Sequence, residues 1–180
     1  MKRSKVLKLA VLGAAPMLLI GCEEERPALV YESVQACIIA AQLPEQTCRE
    51  DYAKAEIAHA ATAPRYFSNA DCQADFGSGQ CQQNVQSGGY FMPFMTGYMI
   101  ASMMQGGASN WQRTPGGHSA QPLYRTAGSA TWRTADNTQI GSRSGEVTVR
   151  KSTAQPPTRA VTMSRSGFGS SASARGGWGG

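Results

Sequence analysis

The 180-residue sequence predicts a mainly α protein: a small disulfide-stapled helical module, a short Met/aromatic helix and a long disordered C-terminal tail. Three observations carry that expectation. The stretch from Glu45 to Ala63 lacks Gly and Pro, is rich in Ala and stops before Pro64, as a long helix does. Met92, Met95, Met99 and Met103 recur at three- and four-residue steps, the spacing of one helical face. From residue 105 to 180, thirty-seven of seventy-six residues are Gly, Ser, Thr or Pro. Such a composition buries too little apolar surface to offset the entropy of ordering.

At the N-terminus, Lys2, Arg3, Lys5 and Lys8 precede an uncharged apolar run from Leu9 to Ile20. The run suits a secretory signal and falls short of the ~20 residues a membrane span needs. Its end, Leu19-Ile20-Gly21-Cys22, resembles the lipobox of bacterial lipoproteins. The resemblance implies that residues 1–21 are a signal peptide and that Cys22 is diacylated on sulfur as the mature N-terminus. The protein would then be lipid-anchored in the cell envelope and periplasm-facing. By resemblance to enterobacterial sorting, Glu23 is not the Asp that retains lipoproteins at the inner membrane, which favours the outer membrane. Residues 22–30 follow as an acidic linker.

Without that leader the net charge drops from +5 to about +1. Near-neutrality conceals a polarity: residues 22–81 hold ten acids and four basic residues, whereas residues 82–180 hold nine basic residues and two acids. An exported chain rarely meets nucleic acid, so the basic half suits a solvated tail or an anionic envelope polymer rather than DNA or RNA.

With Cys22 acylated, Cys37, Cys48, Cys72 and Cys81 remain. An even number in an oxidising compartment implies two disulfides, with three possible connectivities. The close C-x2-C knuckle of zinc sites is missing. An internal echo selects the pairing. Tyr31-Glu-Ser-Val-Gln-Ala-Cys37 and Tyr66-Phe-Ser-Asn-Ala-Asp-Cys72 share Tyr-x-Ser-x-x-x-Cys, each followed by a second cysteine. Two duplicated units, each closed on itself, give Cys37–Cys48 and Cys72–Cys81, and loops of this size contribute roughly 3 kcal/mol each in the chain-entropy model. Residues 31–83 form the stapled module on this reading. Ser33 and Ser68 stand at helix N-caps, with Asp71 completing an approximate capping box. A shorter helix starts near Asn69, and Phe76-Gly77-Ser78-Gly79 breaks it so that Cys81 can return to Cys72.

The pattern Ala63-Pro64-Arg65-Tyr66, then Asp71-Cys72-x3-Phe76-Gly77-x-Gly79-Gln80-Cys81-Gln82-Gln83, resembles the uncharacterised YgiB-type lipoproteins of Gram-negative bacteria. Phe91-Met92-Pro93-x-Met95-x-Gly97-Tyr98-Met99 and Gly167-Phe168-Gly169 match the same family. The family is a domain of unknown function, so the resemblance implies no catalytic residue, substrate or cofactor.

Residues 84–107 are expected as an uncharged Met/aromatic helix, with Phe91, Phe94 and Tyr98 striped beside the methionines. Its apolar centre, Tyr90 to Met104, would be ~22 Å long as a helix, too short for a ~30 Å hydrocarbon core. It can pack on the stapled module or lie in a membrane interface. It can also bind a protein partner or a second copy through residues 90–104, with Phe91, Met92, Phe94, Met95, Tyr98, Met99 and Met103 as contacts. A Met ladder also suits Cu(I), because soft thioethers select that ion.

The tail, residues 108–180, is expected to be disordered apart from a short strand at Glu146–Arg150. It carries two echoes: Tyr124-Arg-Thr-Ala with Trp132-Arg-Thr-Ala, and Arg165-Ser-Gly-Phe-Gly with Arg175-Gly-Gly-Trp-Gly. It reads as a flexible spacer or as a binder of anionic envelope polymer through Arg and aromatic contacts. His59 and His118 lie in no recognisable catalytic setting, and no nucleophile–base pair, phosphate loop or metal cluster emerges. The sequence therefore predicts a non-enzymatic envelope lipoprotein without a cofactor, in an interaction or structural role. A periplasmic Cu(I)-handling protein is the alternative.

Overall fold

Two unbroken apolar stretches, Ala28-Leu-Val-Tyr31 and Tyr98-Met-Ile-Ala101, run side by side as antiparallel strands at the centre of the molecule. A computed structural model describes residues 23–85, 88–103, 116–163 and 168. The expected signal segment, Cys22 and, apart from Phe168, the Arg165/Arg175 echo lie outside the described residues. In chain order the elements are β1 (Glu25–Tyr31), α1 (Val34–Ala40), α2 (Glu45–Thr62), β2 (Arg65–Tyr66), α3 (Asn69–Phe76), β3 (Cys81–Asn84) and β4 (Tyr90–Pro93). There follow β5 (Gly97–Ser102), β6 (His118–Leu123), β7 (Trp132–Arg133), β8 (Gln139–Gly141), β9 (Gly145–Arg150), a 3-10 turn (Lys151–Ala154) and β10 (Thr162–Met163).

The main sheet has the order β6-β5-β1-β9 and is antiparallel throughout. Side chains alternate across it, so β1 and β5 supply two cores. On one face Leu29, Tyr31, Tyr98, Ile100 and Ala120 pack against the α1–α2 pair, with Cys37, Cys48 and Ala55 in the same cluster. On the other, Ala28, Val30, Met99 and Ala101 pack against Trp132, Val149 and Ala154. Covering both faces is what makes β1 and β5 uniformly apolar rather than alternating. A third core gathers Ala63, Tyr66, Cys72, Phe76, Met92, Tyr124, Ala135 and Phe168 where α3 meets the second sheet, ordered β10-β2-β4-β3. The β7–β8 hairpin forms a separate two-stranded sheet.

Local chemistry sets the helix ends. Ser33 and Ser68 cap α1 and α3 by accepting the N–H groups of Ala36 and Asp71, both at 3.1 Å. Gly77 ends α3 at φ +100°, a conformation that glycine adopts without a Cβ penalty. Disulfides join Cys37 to Cys48 and Cys72 to Cys81. Gly97 opens β5 for a different reason. A Cβ there would stand 2.7 Å from the Trp132 ring and 2.8 Å from the Tyr31 carbonyl oxygen. The missing side chain is the space into which Trp132 packs.

The mainly α expectation is thus corrected: the fold is mixed α/β, with ten strands and three α-helices among the described residues. The Met/aromatic segment is not a helix. Tyr90–Pro93 and Gly97–Ser102 are strands, every residue of the second is buried, and a run buried on both faces mimics a buried helix in periodicity. The disordered tail is corrected in the same way. Strands β6 to β10 lie within it, and the fully buried Trp132, Tyr124 and Phe168 supply apolar area that its average composition hides. The acidic stretch 22–30 becomes strand from Glu25 onward.

Charge polarity along the chain is cancelled by topology. Cα partners in the β1–β9 register include Glu25 with Arg150. Arg150 also faces Glu23 at 3.7 Å, Lys151 meets Glu24 at 3.1 Å and Arg125 meets Glu32 at 3.1 Å. The acidic first half and the basic second half neutralise each other within one molecule.

Candidate functional site

Helix α2 carries Tyr52, Glu56 and His59 at i, i+4 and i+7, one stripe of its surface. Gln82 of β3 and the Phe94-Met95 connection between β4 and β5 stand opposite, and together these six residues line a cleft of about 190 Å³. Backbone hydrogen bonds hold the connection at both ends. Phe94 N–H donates to the Gln80 carbonyl at 2.9 Å, and Thr96 N–H to the Leu123 carbonyl at 3.0 Å. The Cys72–Cys81 bridge fixes the start of β3 beside it. Phe94 is 42% exposed, so a large apolar ring stands at the rim.

The chemistry of the cleft is set from behind. His59 Nδ1 and the Tyr124 hydroxyl lie 2.9 Å apart, which fixes the ring orientation. Burial holds the His59 imidazole below its ordinary pKa of 6.5, so it is neutral at pH 7. Burial raises the Tyr124 phenol, and burial with the Glu56 carboxylate raises that of Tyr52. Tyr52 also stacks edge-on against Tyr98, with ring centroids 5.4 Å apart. The cleft thus offers aromatic walls, a thioether, a neutral imidazole, an amide and one carboxylate.

On another face of α2, Asp51 is fully buried between that helix and β6. Its Oδ2 lies 2.7 Å from His118 Nδ1, and its Oδ1 accepts from Lys54 Nζ at 2.6 Å. This polar cluster links helix to sheet without reaching the cleft lining. A second buried carboxylate, Asp75, accepts the Tyr66 hydroxyl at 2.8 Å in the third core. Burial first, and this bond second, raise the Tyr66 phenol far above its ordinary range.

The contact residues expected from the sequence are dispersed. Tyr98 and Met99 are fully buried on opposite faces of β5, and Met92 is buried in the third core. Phe91 packs at the edge of that core, and Met95 borders the helix-facing one. Phe94 and Met103 remain exposed. Met92, Met95 and Met99 therefore belong to three different clusters, and the ladder required by helical spacing is not assembled. Among the described residues, no group of three or more His, Cys, Asp or Glu side chains is placed to hold a metal ion. Of the residues expected as contacts, Phe94 and Met95 line the cleft. Tyr52, Glu56 and Gln82, which also line it, were not singled out, although the i, i+4, i+7 spacing of Tyr52, Glu56 and His59 on α2 carries the signal.

The echo Tyr124-Arg-Thr-Ala with Trp132-Arg-Thr-Ala also has a structural meaning. Tyr124 and Arg133 exchange backbone hydrogen bonds of 2.8 and 2.9 Å, and the Arg125 guanidinium lies 3.6 Å from the Trp132 ring centroid. The repeats pair with each other, each aromatic beside the other's arginine.

The chain matches the family described as "Protein of unknown function (DUF1190)" over residues 25–179. It is similar to a UPF0441 protein of Erwinia tasmaniensis, with 32% identity over 177 residues covering 90% of this chain and 79% of the relative. The YgiB-type resemblance is consistent with both. No solved structure matches the chain.

Proposed function

The chain belongs to the DUF1190 family, and from that premise we propose a non-enzymatic, lipid-anchored cell-envelope protein that binds a partner through the α2 cleft. The single observation supporting this reading is the convergence of Tyr52, Glu56, His59, Gln82, Phe94 and Met95 on one pocket with an exposed aromatic at its rim. Its volume accommodates about six waters, the size of one inserted side chain rather than of a large substrate. Glu56 favours a cationic or hydrogen-bond-donating group at the mouth, and Tyr52 and Phe94 favour an apolar stem. Binding is preferred to catalysis because the ionisable groups in and behind the cleft are already committed: half-buried His59 to Tyr124, and buried Asp51 to His118 and Lys54. Two disulfides suit an oxidising compartment, and no helix among the described residues is long and apolar enough to cross a membrane. Anchoring through Cys22, in the outer membrane rather than the inner, is part of the same proposal.

A photo-crosslinking residue at Phe94 tests it in whole cells. The expected result is a discrete adduct that is absent when the same probe replaces Ile57, an exposed residue of α2 outside the lining. Glu56→Lys should abolish that adduct without changing the melting temperature. Equal adducts from both positions, or none from Phe94, overturn the cleft as a contact site.

A further inference from the structure

The residues that directly follow Cys22 are not a tether. Glu23 Oε1 accepts the Ser152 backbone N–H at 3.3 Å as well as the Ser152 hydroxyl, and Glu23 Oε2 faces Arg150 at 3.7 Å. The Glu24 carbonyl accepts the Lys151 N–H at 2.7 Å, and the Glu24 carboxylate holds Lys151 Nζ at 3.1 Å and Arg26 at 2.7 Å. At Glu25 the chain is already paired with Arg150 in the main sheet. The chain is thus fastened from its first residue after the cysteine.

Resting on the lipid-anchor reading above, we infer that the sheet end built from Glu23–Glu25, Arg150–Ser152 and Met103 is a membrane-apposed face, held against the lipid headgroups with no spacer. The geometry leaves no slack. Consecutive Cα atoms are about 3.8 Å apart, and each headgroup layer is only ~5–8 Å thick. An acyl group on Cys22 therefore places this face within the headgroup region. β1 starts and β9 ends here, and β5 ends here with Met103 exposed, because β1 is antiparallel to both neighbours. The charges suit the location. Carboxylates alone are repelled by phosphates, but Glu23 and Glu24 are matched by Arg26, Arg150 and Lys151, and the last two also remain exposed to anionic headgroups. The opposite sheet end, with Ser142 and Arg143 beyond the start of β9, stands ~20 Å away along a six-residue strand.

The test uses the full chain, produced in a host that processes lipoproteins and reconstituted in vesicles containing headgroup-nitroxide lipid. A fluorescent non-natural residue replaces either Met103 or Ser142, and acyl incorporation is followed with labelled palmitate. The expected result is at least threefold stronger quenching at 103 than at 142. Inserting ten Gly/Ser residues between Cys22 and Glu23 should remove the difference while palmitate incorporation is retained. Equal quenching at both positions in a palmitate-labelled protein overturns the apposed face and leaves the anchor reading intact. A chain that takes up no label, and partitions as its Cys22→Ser variant does, overturns the anchor reading and this inference with it.

Discussion

The Asp75 carboxylate accepts the backbone N–H of Phe168 at 3.0 Å, although 93 residues separate them in sequence. The same oxygen accepts the Tyr66 hydroxyl, and the Phe168 ring packs on Phe76 with centroids 5.0 Å apart. Phe168 is thereby tied into the third core. Phe168→Ala should destabilise the protein by about 3–5 kcal/mol, seen as a lower urea midpoint at unchanged slope. An unchanged midpoint would remove Phe168 from the core.

Gly97 is the counterpart of Trp132. Gly97→Ala forces its methyl into the indole and the Tyr31 carbonyl, and should lower stability by roughly 1–3 kcal/mol or more in thermal unfolding. Adding Trp132→Leu relieves only the ring clash. The double variant should therefore show a smaller penalty than the sum of the two single changes.

Asp51→Ala leaves His118 buried without its carboxylate and should cost about 3–5 kcal/mol in chemical denaturation. Replacing both partners at once, Asp51→Leu with His118→Leu, removes the two buried polar groups together. That variant should be distinctly more stable than Asp51→Ala, because neither partner is then left unmatched in the core.

His59 confers a pH dependence of known sign. Burial depresses its folded pKa below 6.5, so the unfolded chain binds more protons wherever the two states differ. Its contribution is fully present above pH 6.5 and is lost as pH falls from there through the folded pKa. Melting temperature followed between pH 7.5 and 5 should decline more steeply in the wild type than in His59→Gln. Parallel curves would refute a half-buried imidazole held neutral by desolvation.

Legibility of the fold divided along physical lines. Features written in adjacent residues were readable: the Ser33 and Ser68 caps, the span of α2, the Gly77 stop and a strand at Glu146–Arg150. Features decided by distant partners were not. Met92, Met95 and Met99 have helical spacing, but β5 is covered on both faces, and a strand in that setting loses its period-two signature. In the C-terminal part, composition averaged over seventy-six residues concealed Tyr124, Trp132 and Phe168, whose burial anchors it. The Tyr124/Trp132 echo was visible as a repeat, yet its meaning as a single bridge between Tyr124 and Arg133 depended on the turn between them. Of the cleft, Phe94 and Met95 could be picked out, whereas Gln82 could not, because only the sheet brings it opposite α2.

Strand β1 begins the described chain and is flanked by β5, through Ala28 and Ala101, and by β9, through Glu25 and Arg150. During synthesis it emerges before either neighbour: β5 arrives first and covers one edge, and β9 comes more than a hundred residues after β1. Until then an apolar strand with an open edge is carried by an unfinished polypeptide, the condition under which chains aggregate. Shielding that strand until Arg150 has been released is the task this topology sets for chaperones.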